Sequence, residues 1–122
     1  MGLDRVQVVS IGVSDHEQAL DFYLNTLGLE KRMDESWGDG NRFLTVGLPG
    51  DPTMIALNTG NDRVGGMTGI VFSSADPEAT GRELSERGVE FVEEPRKQEW
   101  GGVMGLFKDP DGNVIAIHDD VG

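Results

Sequence analysis

The chemistry open to this 122-residue chain is narrowed first by what it lacks. There is no cysteine, so disulfides, thiolate metal sites and cysteine nucleophiles are excluded. Two histidines, His16 and His118, are its only imidazoles, groups that act as general base, hydrogen-bond partner or metal ligand near neutral pH. His118 ends an apolar run and is followed by Asp119-Asp120. His16 falls in the first turn of a helix, where it is expected to face solvent. Trp37 lies in Glu35-Ser36-Trp37-Gly38-Asp39-Gly40, a polar stretch where a tryptophan serves as a lid or as a contact to a second copy. Trp100 precedes Gly101-Gly102 and either stacks on a planar or apolar ligand or is a structural plug that closes the sheet edge. Arg42 starts a strand, where its guanidinium either pairs with a ligand carboxylate or is solvated. Glu83, Glu86, Glu90, Glu93 and Glu94 read as a solvated helix face and loop. No Gly-rich phosphate loop and no arguable Ser-His-Asp spacing is present.

Composition removes further classes. Ten Lys+Arg against 22 Asp+Glu leave a formal charge of −12, which argues against nucleic acid and against an anionic membrane surface. Long-range steering then favours a cationic or neutral ligand over an anion. Lysine is confined to Lys31, Lys97 and Lys108. With 37% hydrophobic and 26% charged residues, the composition is that of one globular domain able to bury roughly two-thirds of its unfolded surface. No apolar run approaches the roughly 20 residues of a membrane span. The start, Met1-Gly2-Leu3-Asp4-Arg5, lacks an apolar signal core, so a cytoplasmic location is the expectation.

The elements that must position these groups come in two similar halves. Val6 to Val13 is rich in β-branched residues and reads as a strand. Ser14-Asp15-His16-Glu17 fits a capping box, with Ser14 accepting an N–H and Glu17 reaching back. The helix that follows carries Ala19, Leu20, Phe22, Tyr23 and Leu27 on one face and stops at Gly28. Arg42 to Leu48 and Thr53 to Asn58 read as strands joined through Pro49-Gly50-Asp51-Pro52. The pattern then restarts: strand Met67 to Ser73, N-cap Asp76 with Pro77 in the first turn, and a helix to about Arg87 that stops at Gly88. Val103 to Phe107 and Asn113 to His118 are strands around Asp109-Pro110-Asp111-Gly112. Helix starts and helix-stop glycines recur about 60 residues apart, as a duplicated β-α-β-β(-β) unit requires. Thr59 to Gly66 is a polar, glycine-rich linker.

Val13-Ser14-Asp15…Ala19…Phe22-Tyr23…Leu27-Gly28-Leu29 resembles the first-half signature of the vicinal oxygen chelate superfamily, which includes glyoxalase I, bleomycin-resistance proteins, fosfomycin-resistance enzymes and extradiol dioxygenases. Arg87-Gly88-Val89-Glu90-Phe91, Trp100-Gly101-Gly102 and Phe107-Lys108-Asp109-Pro110-Asp111-Gly112-Asn113 resemble its second half. The resemblance implies an α+β fold of two βαβββ repeats, about residues 1–60 and 65–122 of a single domain, forming a cup-shaped curved mixed sheet, usually in a homodimer. Asp-Pro-Asp-Gly-Asn itself is a tight turn with proline-set φ and a glycine for positive φ.

Metal-dependent members hold a divalent ion with four strand residues, typically His or Gln, Glu, His and Glu. Carried over, these positions fall on Val8, Ala56, Gly69 and Ala116, none of which has a donor atom; Gln7 is only a neighbour of the first. Strand alternation turns Val9, Ile11 and Val13 toward the helices and Val8, Ser10 and Gly12 toward the cavity. The same alternation places Met54, Ala56, Asn58, Gly69, Val71, Val114, Ala116 and His118 on the cavity side. Phe43, Met54, Met104 and Leu106 would add apolar lining. The expected function is therefore a metal-free and cofactor-free cup that binds a small, partly apolar organic molecule through Ser10, Arg42, Met54, Asn58, Trp100, Met104 and His118. The rival is an enzyme of the superfamily acting through cavity side chains, with His118 as base, or through a non-standard metal site.

Overall fold

A computed structural model describes residues 2–60 and 63–120 of the chain. Its contacts divide the chain into two compact units, Met1–Val64 and Gly65–Gly122. In the first unit, strand β1 (Val8–Gly12) leads to helix α1 (His16–Asp21), then to β2 (Glu30–Trp37), β3 (Asn41–Gly47) and β4 (Met54–Asn58). The second repeats the order with β5 (Gly66–Ser74), α2 (Pro77–Glu86), β6 (Glu90–Lys97), β7 (Val103–Lys108) and β8 (Asn113–Asp119). Each unit is thus a βαβββ module with one four-stranded mixed sheet, ordered β1-β4-β3-β2 and β5-β8-β7-β6. The first strand of each module lies parallel to the last, and the remaining pairs are antiparallel.

Two strands were not legible from pattern alone. β2 is exposed at seven of its eight residues and β6 at five of eight, so neither shows apolar alternation. Glu90, Glu93 and Glu94 belong to strand β6 rather than to a helix face and loop. The first helix also starts differently from the expected capping box. Asp15, not Ser14, is the N-cap, its carboxylate accepting the Gln18 N–H at 3.0 Å; Glu17 turns to Arg42 instead. After Asp21 the helix widens into a π turn, Phe22–Thr26, with the Leu27 N–H donating to the Phe22 carbonyl at 3.0 Å. Asp76 caps α2 through the Ala79 N–H, with Pro77 in the first turn, as its sequence predicts.

One face of each sheet is packed by its module's helix. In the first module Ile11, Val13, Leu44, Val46, Ile55 and Leu57 are buried there with Ala19 and Tyr23. In the second, Phe107, Ile115 and Ile117 pack with Leu84, and Phe91 meets Phe107 at 5.8 Å between ring centroids. Pro95 fits between Gly81 of α2 and Gly105 of β7, since a Cβ on either glycine would come within 2.7 Å of it. That contact explains a glycine in a helix interior, where it otherwise costs about 1 kcal/mol against alanine.

The Asp109-to-Asn113 turn is a buried polar knot. The Asp109 carboxylate accepts the N–H groups of Asp111 and Asn113 and the Asn113 side-chain amide, at 2.8–3.0 Å. Asn113 in turn accepts the Gly65 N–H at 2.8 Å, tying the start of β5 to β8. Of the expected linker, Asn61 and Asp62 lie outside the described residues, and Val64 bridges Gly12 in parallel.

Candidate functional site

With one face of each sheet covered by a helix, the other face holds the groups free to meet a ligand. Register assigns them. On the first sheet, Val8 pairs with Met54, Ser10 with Ala56 and Gly12 with Asn58; Ala56 continues to Thr45 and Thr45 to Met33. Paired residues share a face, so Val8, Ser10, Met54, Ala56 and Asn58 all stand on the helix-free side. Ser10 is exposed, Met54 and Asn58 are half-buried and Ala56 is buried. The Thr45 hydroxyl accepts the Met33 N–H at 3.0 Å and donates to the Met54 sulfur at 3.4 Å. On the second sheet the helix-free rows are Met67-Val114-Lys108-Glu90, Val71-Ala116-Leu106-Glu93 and Ser73-His118-Met104-Arg96.

Trp100 stacks on His118, which stands on that second face. Their rings lie 5.0 Å apart at 15°, a parallel stack. The turn carrying Trp100 is pinned: the Gln98 N–H donates to the Gly102 carbonyl at 2.7 Å and the Gly101 N–H to the Gln98 carbonyl at 3.0 Å. The Gln98 side-chain amide donates to the carbonyls of Arg96 and Met104. Gly101 takes φ +105°, and a Cβ on Gly102 would overlap the indole, so both glycines are needed for the ring to lie down. Behind it, His118 Nδ1 faces the Asp119 carbonyl and, at 3.0 Å, the Asp119 carboxylate. Both partners are acceptors, so Nδ1 carries the proton and a neutral ring keeps Nε2 as its acceptor. Asp119 also accepts the Val103 N–H at 3.1 Å. Trp100 remains 60% exposed while the His118 side chain is 15% exposed. One indole face is therefore backed and the ring still reaches solvent, a preorganised stacking platform.

Arg42 is placed elsewhere. Its β3 neighbours of the same parity, Leu44 and Val46, belong to the helix-packed face, and the guanidinium follows them. It binds both oxygens of Asp34 at 2.8 Å and Glu17 of α1 at 2.7 Å. Hydrogen bonding to Arg42 is the main cause that holds the Asp34 carboxyl well below the usual carboxylate range, and bonding to Asp34 raises Arg42 further above its own. A ligand carboxylate would have to displace two protein carboxylates to use this guanidinium. His16 corrects an expectation of solvent exposure: its Nε2 is buried and has no hydrogen-bond partner among the described residues.

The four residues expected from the resemblance at metal-ligand positions carry no side-chain donor atom. Val8, Ala56 and Ala116 are strand residues with hydrocarbon side chains. Gly69 departs from strand geometry altogether, with φ +78° at an interruption of the β5–β8 ladder between Met67 and Val71. The Thr68 hydroxyl patches that interruption, donating to the Val114 carbonyl at 2.8 Å and accepting the Ile70 N–H at 3.1 Å. No group of three or more His, Asp or Glu able to hold a metal ion occurs among the described residues. No helix there is long and apolar enough to cross a membrane.

Two clefts open among the described residues. One, of about 650 Å³, opens at the end of the first sheet between Trp37, Asn41, Arg42, Asn58, Thr59 and Arg63. Trp37 stands at the end of β2, paired with Asn41 and 57% exposed. Sequence reasoning had singled out Trp37, Arg42 and Asn58 separately, and nothing in their spacing signalled that they meet. The second cleft, about 470 Å³, lies along α2 beside Glu78, Arg82, Glu86 and Glu94.

Comparison with known proteins places this geometry. The family model described as the glyoxalase/bleomycin resistance protein/dioxygenase superfamily matches residues 3–117. A crystal structure of a member of that superfamily from Sphaerobacter thermophilus DSM 20745 is 39% identical, with a TM-score of 0.92 over 98% of this chain and 100% of its own. TnmS3, an antibiotic binding protein from Streptomyces sp. CB03234, is 35% identical, with a TM-score of 0.87 over 98% of both chains. The uncharacterized protein YurT of Bacillus subtilis (strain 168) is 32% identical over 93% of this chain and 97% of its own.

Proposed function

Because this chain belongs to the glyoxalase/bleomycin resistance protein/dioxygenase superfamily, we propose that it is a binding protein that takes a small, partly apolar, planar organic molecule without the help of a metal ion. The observation that carries the reading is the Trp100 ring, stacked on His118 and open to solvent. Around it the second sheet offers Met104, Leu106, Ala116 and Val71, an apolar field with His118 as its polar orienting group. Four ligand positions filled by Val8, Ala56, Gly69 and Ala116 support the metal-free part. That TnmS3 is an antibiotic binding protein supports sequestration of an organic ligand over its turnover. The proposal includes a homodimer in the cytoplasm: Met67 and Val71, 71% and 58% exposed on the helix-free face, favour cover by a second copy. Light scattering that gives a stable 13 kDa species at micromolar concentration would remove the dimer.

A second reading rests on one specific observation. Asp119 fixes the His118 tautomer and leaves Nε2 to accept a proton, as a general base requires. A melting screen over quinones, glycopeptide drugs and small metabolites, with and without chelator, separates the two. Binding predicts a stabilising compound recovered unchanged, chelator-insensitive, and still bound by His118→Ala. A compound consumed by the protein but not by His118→Ala establishes the enzyme instead, and chelator-sensitive turnover ends the metal-free reading.

A further inference from the structure

The cleft of the first unit repeats, in different chemistry, the layout of the Trp100 platform. His118 stands two residues beyond Ala116 on the last strand of its module, and Asn58 stands two residues beyond Ala56 on the last strand of the other. Trp100 sits in the turn between β6 and β7, and Trp37 ends β2 at the matching hairpin. In the first module, however, the tryptophan shares its cleft with three neutral polar side chains and with two guanidiniums, Arg42 and Arg63. The side-chain amides of Asn41 and Asn58 and the Thr59 hydroxyl line the cleft and make no hydrogen bond within the described residues. Both guanidiniums of the cleft are engaged: Arg42 is neutralised by Asp34 and Glu17, and Arg63 is not without a partner.

From this arrangement we propose that the cleft between Trp37, Asn41, Asn58 and Thr59 is a binding site for an uncharged pyranose ring. The argument is one of matching groups. A carboxylate or phosphate would enter a chain of charge −12 against long-range repulsion. A cation finds no carboxylate among the described residues that line the cleft. A bare aromatic ring would stack on Trp37 but strip water from two amides and a hydroxyl without replacing it, which is costly. A sugar ring satisfies both demands. Its C–H face lies on the exposed indole, and its hydroxyls, each donor and acceptor, meet amides that are also both. Exposed donors in an open cleft correspond to weak binding, with Kd on the order of 1–10 mM for a monosaccharide.

The chain has only two tryptophans, so single substitutions isolate the two sites. In Trp100→Phe, Trp37 is the sole reporter; in Trp37→Phe, Trp100 is. Titration of Trp100→Phe with methyl α-glucopyranoside and with N-acetylglucosamine should shift Trp37 emission saturably with at least one of them. The side-chain NH2 signals of Asn41 and Asn58 should move in NMR spectra with the same midpoint. Asn58→Ala, and Thr59→Val with its shape preserved, should each raise that midpoint by about fivefold, as the loss of one hydrogen bond implies. No saturable change with either sugar overturns the proposal, as does an equal response to benzyl alcohol, or a sugar signal seen only from Trp100. The site does not depend on the reading of the Trp100 platform: a planar ligand that perturbs Trp100 in Trp37→Phe bears on that platform alone.

Discussion

Gly69→Ala tests why a glycine stands where the resemblance leads one to expect a metal ligand. Gly69 has φ +78° and an added Cβ would meet nothing within 4 Å. Its replacement therefore costs no overlap, and the whole penalty is conformational. Holding an L-residue in the left-handed region costs about 1–2 kcal/mol. For a chain of this length each kcal/mol lowers Tm by about 3–5 °C, so the expected fall is about 3–10 °C. The reduced backbone freedom of alanine in the unfolded chain acts in the opposite direction but is smaller than the strain where φ is positive, so the net effect remains a fall toward the lower end of that range. Differential scanning fluorimetry at one protein concentration, backed by a urea midpoint, measures it. Gly69→His should fall by a similar amount and gain no tight site for zinc or nickel, since Val8, Ala56 and Ala116 still supply no donor. An unchanged Tm for Gly69→Ala would refute the reasoning, because it would mean the ladder interruption closes without cost and position 69 can be an ordinary strand residue.

Three further outcomes follow from named contacts. Gly105→Ala should destabilise strongly, by roughly 2 kcal/mol or more, because the new Cβ would lie 2.7 Å from the Pro95 backbone nitrogen; a urea midpoint equal to wild type would contradict the packing described. Asp109→Ala strands three donors in a buried turn and should cost about 3 kcal/mol, with Asp109→Asn recovering part of it by the same measurement. Arg42 depresses the Asp34 carboxyl, so its contribution to stability is complete above the ordinary aspartate value of about 4 and is lost as pH falls toward the folded-state value. Asp34→Asn should therefore show a smaller drop in urea midpoint between neutral and strongly acid pH than wild type; an identical drop would count against the pair.

The fold was legible wherever a side chain had a backbone job to do. Gly28 and Gly88 end helices at positive φ, Asp76-Pro77 starts one, and Asp109-Pro110-Asp111-Gly112-Asn113 builds a turn gathered on the Asp109 carboxylate. These are local devices, and local devices are written in adjacent residues. β2 and β6 were illegible for the opposite reason: as outer strands of their sheets they are mostly exposed, and their pairing is dictated by β3 and β7 rather than by their own pattern. The N-cap of α1 was misread because Ser14-x-x-Glu17 fits a capping box on its own, whereas Arg42, 25 residues away, draws Glu17 off it.

The site divides along the same line. Alternation alone put Ser10, Met54, Asn58, Ala116 and His118 on one side of their strands, because a period of two survives any twist. What alternation could not convey is the stack of Trp100 on His118, which depends on a turn closing between Gln98 and Gly102, or the burial of the His16 Nε2. Nor could it show that Arg42 is engaged: a guanidinium at a strand start looks available until Asp34, on the neighbouring strand, is seen to face it.

The central claim is that a planar organic ligand binds on Trp100 without a metal ion. It is tested most directly by titrating Trp37→Phe, in which Trp100 is the only tryptophan, with a stabilising quinone from the melting screen, in chelator and again in added zinc or nickel. The account predicts saturable quenching of Trp100 with one and the same midpoint in all three conditions. Quenching that appears only with metal, or binding that leaves Trp100 emission unchanged, would contradict it.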